Sequence, residues 1–136
     1  MSIDLKNIFK EVQNSHPGII SHRRKIHENP ELSFEEHKTS EYIESVLDDL
    51  GIGHKRIAGT GVVGLIGTGG KCAALRADID ALPIDEETGL PFASKNPGVM
   101  HACGHDMHTS MLLAAAEILK KHEKDLGGTV KLIFQP

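Results

Sequence analysis

Apolar residues fall at helical spacing at the start of the chain. Leu5, Ile8, Phe9 and Val12 mark one helix over residues 4–14, and Pro17 can open a second that carries Ile19, Ile20 and Ile26. Asn29-Pro30 signals a turn. Beyond it, Ser33 and Glu36 fit an S-x-x-E capping box, followed by Ile43, Val46, Leu47 and Leu50 on one helical face and a stop at Gly51. The period then changes. Residues 61–67, with Val62, Val63, Leu65 and Ile66, and residues 71–80 read as two strands, and the Gly69-Gly70 turn between them predicts a hairpin. Residues 82–100 hold three prolines and no sustained period, which predicts a long loop of the kind that usually carries function. From Met107 to His122 the chain is apolar on more than one face, as in a helix packed between layers, and Thr129–Phe134 reads as a further strand. Strands alternating with buried helices predict an α/β fold, with a sheet covered on at least one side.

Composition narrows the possibilities. The 136 residues suit one globular unit. A net charge of −4, with acidic and basic residues interspersed, argues against a nucleic-acid or anionic-membrane partner. No apolar run approaches the roughly 20 residues needed to span a bilayer, and the opening Met1 to Lys10 lacks a signal-peptide core, so a cytoplasmic location is expected. The two cysteines differ in setting: Cys72 lies in an apolar segment and Cys103 in a Gly/His-rich loop. In a reducing compartment no structural disulfide is expected between them.

The chemistry concentrates in His101-Ala102-Cys103-Gly104-His105-Asp106-Met107-His108, which sets one thiol, three imidazoles and a carboxylate just before the apolar helix. A thiolate and a neutral imidazole are both good ligands for a borderline divalent ion, and a helix N-terminus lowers the pKa of a nearby thiol. Cys103 and His105 are therefore candidate metal ligands. A nucleophilic thiol with an adjacent imidazole base, or a small buried hydrophobe, is the alternative for Cys103. His101, Asp106 and His108 suit supporting roles around the ligands. The second cluster is Asp78 and Asp80, which share one face by period two where a strand gives way to the long loop. They could ligate a cation, orient a ligating histidine or hold a catalytic group. His16, His22, His37, His54 and His122 read as solvated, with His27 left open, and Glu86-Glu87 and Lys120-Lys121 read as solvated surface.

Three blocks in order, His27-Glu28-Asn29-Pro30-Glu31-Leu32-Ser33, then Leu75 to Pro83, then Met100 to Thr109, closely resemble a family of metal-dependent amidohydrolases. It comprises hippurate hydrolases, bacterial N-acyl-amino-acid aminoacylases, auxin-conjugate hydrolases and N-acetyl-diaminopimelate deacetylases. The resemblance implies a zinc-exopeptidase-like mixed sheet flanked by helices, with two divalent ions, manganese or zinc. It implies Cys103 and His105 as ligands, Asp80 as the catalytic carboxylate supporting a metal-site residue, and Asp78 as an accessory. The family also uses an acidic pair just after a strand resembling Leu132 to Pro136, the first acid serving as general base. The chain stops at Pro136, ahead of that pair. It is thus expected to be the N-terminal portion, over residues 1–136, of a catalytic domain whose remainder and inserted dimerisation or lid domain lie outside it. By itself this portion is expected to be inactive and marginally stable. The whole protein is expected to be a homodimer hydrolysing N-acyl amino acids or peptides. The alternatives are a hydrolase using Cys103 as nucleophile and a non-catalytic metal-binding module.

Overall fold

Asp4 opens the first helix, its carboxylate accepting the Lys6 backbone N–H at 2.9 Å. The computed structural model describes residues 4–136, so Met1 to Ile3 of the polar opening lie outside it. Instead of two helices there is one, α1, Leu5–His27, with Pro17 inside it. Pro17 has no N–H for the ladder, a defect that ordinarily kinks or ends a helix. Here both halves are tied to one partner, the later helix α3, His105–Lys121. Glu11 pairs with Lys121 and His122, both at 3.1 Å, and two turns beyond the proline Arg23 pairs with Asp106 at 2.8 Å. Tertiary anchoring outweighs the local break. The apolar stripe at the start of α1 stays outward, with Leu5, Phe9 and Val12 all exposed.

The second helix, α2, His37–Asp49, has the expected apolar face but not the expected cap. Ser33 is exposed, and Glu36 turns inward as a buried side chain that accepts the Thr60 hydroxyl at 2.6 Å. Glu31 takes over the cap, accepting the N–H groups of Lys38 and Thr39 at 3.1 and 2.8 Å and the Thr39 hydroxyl at 2.8 Å. A carboxylate at this end also suits the helix dipole. The stop at Gly51 is as expected: its φ of 65° turns the chain, and Ile52 N–H reaches back to the Leu47 carbonyl at 2.9 Å.

Four strands, β1 (Gly53–Ile57), β2 (Gly61–Gly67), β3 (Lys71–Asp78) and β4 (Gly128–Gln135), form one mixed sheet in the order β1-β2-β4-β3. The expected hairpin between β2 and β3 does not form. β4 lies between them, antiparallel to β2 and parallel to β3. β2 instead makes its hairpin with β1, a strand the apolar pattern missed. The glycine turn serves the insertion, because side chains at Gly67 and Gly70 would come within 2.3 and 2.6 Å of the Gly128 and Gly127 carbonyls.

α2 and α3 cover one face of this sheet. The core between them joins Ile43 and Leu47, Val62 and Ile66, Leu112, Leu113 and Ala116, and Leu132 and Phe134. Each fully buried aliphatic or aromatic side chain contributes roughly 1.5–3 kcal/mol. Leu65 and Leu75 on the sheet remain exposed. Residues 82–100 form no helix or strand, as expected, and the loop is closed at its base by paired backbone hydrogen bonds between Leu82 and Met100. It carries the chain from the C-terminal end of β3 to the N-terminus of α3, the edge of an α/β sheet where ligands bind.

Candidate metal centre

Asp78 ends β3, Asp80 follows two residues later, and His105 opens α3 beside them. Thr109, one turn into α3, fixes the approach by donating its hydroxyl to the Asp78 carbonyl at 2.9 Å. His105 Nδ1 lies 2.8 Å from Asp80 Oδ1 and 3.1 Å from the Asp80 carbonyl. Both of these are acceptors, so Nδ1 donates to them and the ring is held in one orientation. Nε2 points to Asp78 Oδ2 at 3.2 Å, and the His108 ring stacks on His105 with centroids 5.5 Å apart. Among the described residues, Asp78, His105 and His108 form a group whose donor atoms all lie within 4.8 Å of one another. One oxygen and two imidazole nitrogens, with a carboxylate behind the central imidazole, suit a divalent transition ion. The donor set fits a metal. Arg76 supplies a counter-charge, its Nη1 2.8 Å from Asp78 Oδ1, while its Nε donates to Gln135 Oε1 at 2.6 Å.

Of the residues singled out by sequence, Asp78, Asp80, His105 and His108 thus come together. Cys103 is exposed and free, as is Cys72, and its thiol lies outside that group. No described hydrogen bond joins the Cys103 thiol to an imidazole. His101 is 4% exposed, and neither ring nitrogen has a partner. Burial pushes its pKa down to about 4, against the pull of Asp106, so the ring is neutral at pH 7.

Asp106 belongs to a second, buried array. Its Oδ2 accepts from Arg23 Nε at 2.8 Å and faces His27 Nδ1 at 2.7 Å, and the other nitrogen of that ring faces Glu86 Oε1 at 3.1 Å. The Phe92 ring packs against His27 edge-on, with the Arg23 and Arg24 guanidinium groups over it. The sequence left His27 open and gave no sign of its partners. Arg23 and His27 do share a helix face at a spacing of four. Glu86 corrects the expectation of a solvated pair: Glu87 is exposed, but the Glu86 side chain is 2% exposed because the loop folds back over it. Burial of this carboxyl raises its pKa. Hydrogen bonds from the Thr88 hydroxyl, the Ser94 N–H and His27 outweigh that effect and hold it at about 2.

A pH dependence follows from Glu86. An acid held below its ordinary value of 4.5 stabilises the fold above that pH and loses the contribution as pH falls toward about 2. The stability advantage of the native chain over Glu86→Gln is therefore expected to shrink across that interval on acidification, as read by urea unfolding. A constant difference would show that Glu86 is not held ionised by these partners. His22 and His122 also depart from simple solvation, bonding to the Tyr42 hydroxyl at 2.7 Å and to Glu11 at 3.1 Å.

No described helix is long and apolar enough to cross a membrane. The sequence profile of peptidase family M20/M25/M40 matches residues 74–136, the stretch from β3 through β4 that holds the donor set. IAA-amino acid hydrolase ILR1-like 5 of Arabidopsis thaliana is 56% identical over 116 residues, 84% of this chain and 27% of that protein. N-acetyl-L-cysteine deacetylase of Bacillus subtilis is 51% identical over 121 residues, 87% of this chain and 29% of that protein. The crystal structure of the Bacillus subtilis YXEP protein, a dinuclear metal-binding peptidase of the M20 family, superposes with a TM-score of 0.86 at 46% identity. That match covers 91% of this chain and 36% of the other. The chain therefore spans about a quarter to a third of the length of these relatives. With the same α/β architecture and a donor set on the matched segment, it belongs to the M20/M25/M40 peptidase family.

Proposed function

We propose that this chain supplies the first half of the metal centre of an amidohydrolase that cleaves the bond between an acyl group and an amino acid. The observation that carries the reading is the Asp80–His105 pair, which fixes the ring's orientation and aims Nε2 at Asp78. His105 is the first ligand, Cys103 completes the coordination from the adjoining loop, and Asp80 is the carboxylate that orients His105. Asp78 and His108 stand within reach as further donors or accessories. Bound there, a divalent ion would supply Lewis acidity to the scissile carbonyl and a route to hydroxide near pH 7. The Bacillus subtilis relative is dinuclear, which supports two divalent ions here, and manganese or zinc is the identity we propose for them. The relatives named for IAA-amino acid and N-acetyl-L-cysteine substrates support an N-acyl amino acid as substrate class. The chain is read as the N-terminal portion of a catalytic domain, with the general base and remaining ligands beyond Pro136, in a cytoplasmic homodimer.

The test uses the full natural chain and its Cys103→Ser variant, with metal content and N-acyl-amino-acid hydrolysis measured on the same samples. Metal and activity are expected to fall together in the variant. Activity that survives chelation in the native chain would replace this reading with thiol chemistry at Cys103. Stoichiometric metal without turnover of any N-acyl amino acid would leave a metal-binding module.

A further inference from the structure

His105 and Asp106 are consecutive on the first turn of α3, where side chains project about 100° apart, so whatever fixes one fixes the direction of the other. The cap gives this turn no help: Gly104 has a left-handed φ of 90° and no side chain to accept a hydrogen bond. Asp106 does the holding. Its Oδ1 accepts the Met107 N–H at 2.9 Å, and its Oδ2 meets Arg23 and His27. The opposite nitrogen of His27 meets Glu86, whose carboxylate also accepts the Ser94 N–H at 2.6 Å and the Thr88 hydroxyl at 2.5 Å. Arg23 Nη2 lies 3.4 Å from His27 Nδ1, longer than either carboxylate contact. The His27 ring is thus held at both nitrogens, by a buried carboxylate on each side. Arg23, Asp106, His27 and Glu86 form one continuous run of hydrogen bonds, which is how buried polar groups are tolerated.

The loop bearing Glu86 is also the segment that separates the two halves of the donor set, Asp78 and Asp80 before it and His105 after it. We propose that His27, whose ring spans two buried carboxylates, is a positioning residue of the metal centre. It ties the end of α1 and the 82–100 loop to the first turn of α3, and so sets the direction in which His105 presents Nε2. The proposal rests on the reading of Asp78 and His105 as metal-binding, but His27 itself touches neither.

The experiment loads cobalt(II) chloride into the full natural chain and its His27→Gln and Glu86→Gln variants, recording cobalt affinity, the visible d–d spectrum and thermal unfolding. Both variants are expected to unfold cooperatively, to bind cobalt about 10–100-fold more weakly, as when outer-shell partners of a ligand are lost, and to show displaced d–d bands. A folded variant with the native affinity and spectrum would overturn the proposal. If His27→Gln does not fold, Glu86→Gln decides alone, since it removes one charge at the loop end and leaves the α1–α3 contact in place. If the native chain itself takes up no cobalt, the metal-centre reading fails. Uptake by the native chain with unchanged variants refutes the positioning role only.

Discussion

His105→Ala is expected to cost the full natural chain at least about 100-fold in metal affinity, beyond the 10–100-fold typical of losing an outer-shell partner. Amide hydrolysis is expected to fall with it. The reasoning is geometric: among the described residues, only His105 touches both Asp80, through Nδ1, and Asp78, through Nε2. Removing it deletes a donor and leaves Asp80 orienting nothing. Asp80→Asn should behave differently, because the ligand remains and the Asp80 carbonyl still lies 3.1 Å from Nδ1, so its loss should stay within about 10–100-fold. Metal content after dialysis, with kcat/KM for an N-acyl amino acid, checks both. Stoichiometric metal retained by His105→Ala would place the site elsewhere in the protein.

How far this centre was legible depends on the range of the interactions involved. The D-x-D pair, the Cys/His octapeptide and the apolar helix after it are local patterns, and the sequence placed them on the right elements. Residues 82–100 were equally plain, since three prolines without a period leave nothing for a helix or strand to use. Local rules failed where a distant segment decides. Glu36 left its capping box because Thr60 offers a buried hydroxyl, and Glu31 was free to replace it. Pro17 failed to break α1 because α3 grips it on both sides. Gly69-Gly70 looks like a hairpin turn, yet its neighbours also let β4 pass between β2 and β3, and no local feature separates the two outcomes. The His27–Glu86 contact joins residues 59 apart, so the same limit hid the partner of the one histidine left open.

The second large effect is on stability and follows from burial. Asp106→Ala is expected to destabilise the fold by about 3–5 kcal/mol, the range for breaking a buried ion pair by removing one partner. Asp106 is 1% exposed and His27 2%, so the imidazole cannot turn to water for a replacement, and the Met107 N–H loses its acceptor as well. Arg23, with a side chain 28% exposed, can relax outward, which keeps the cost from growing further. Glu11 provides the control. It joins the same two helices through Lys121 and His122 but does so at the surface, where ion pairs are screened and contribute little. Urea unfolding of Asp106→Ala and Glu11→Ala, measured side by side in the full natural chain, should therefore show a large loss and a minor one. Equal losses would mean that burial is not what gives the Asp106 contacts their weight, and that α1 and α3 are held by their packing along the whole pair.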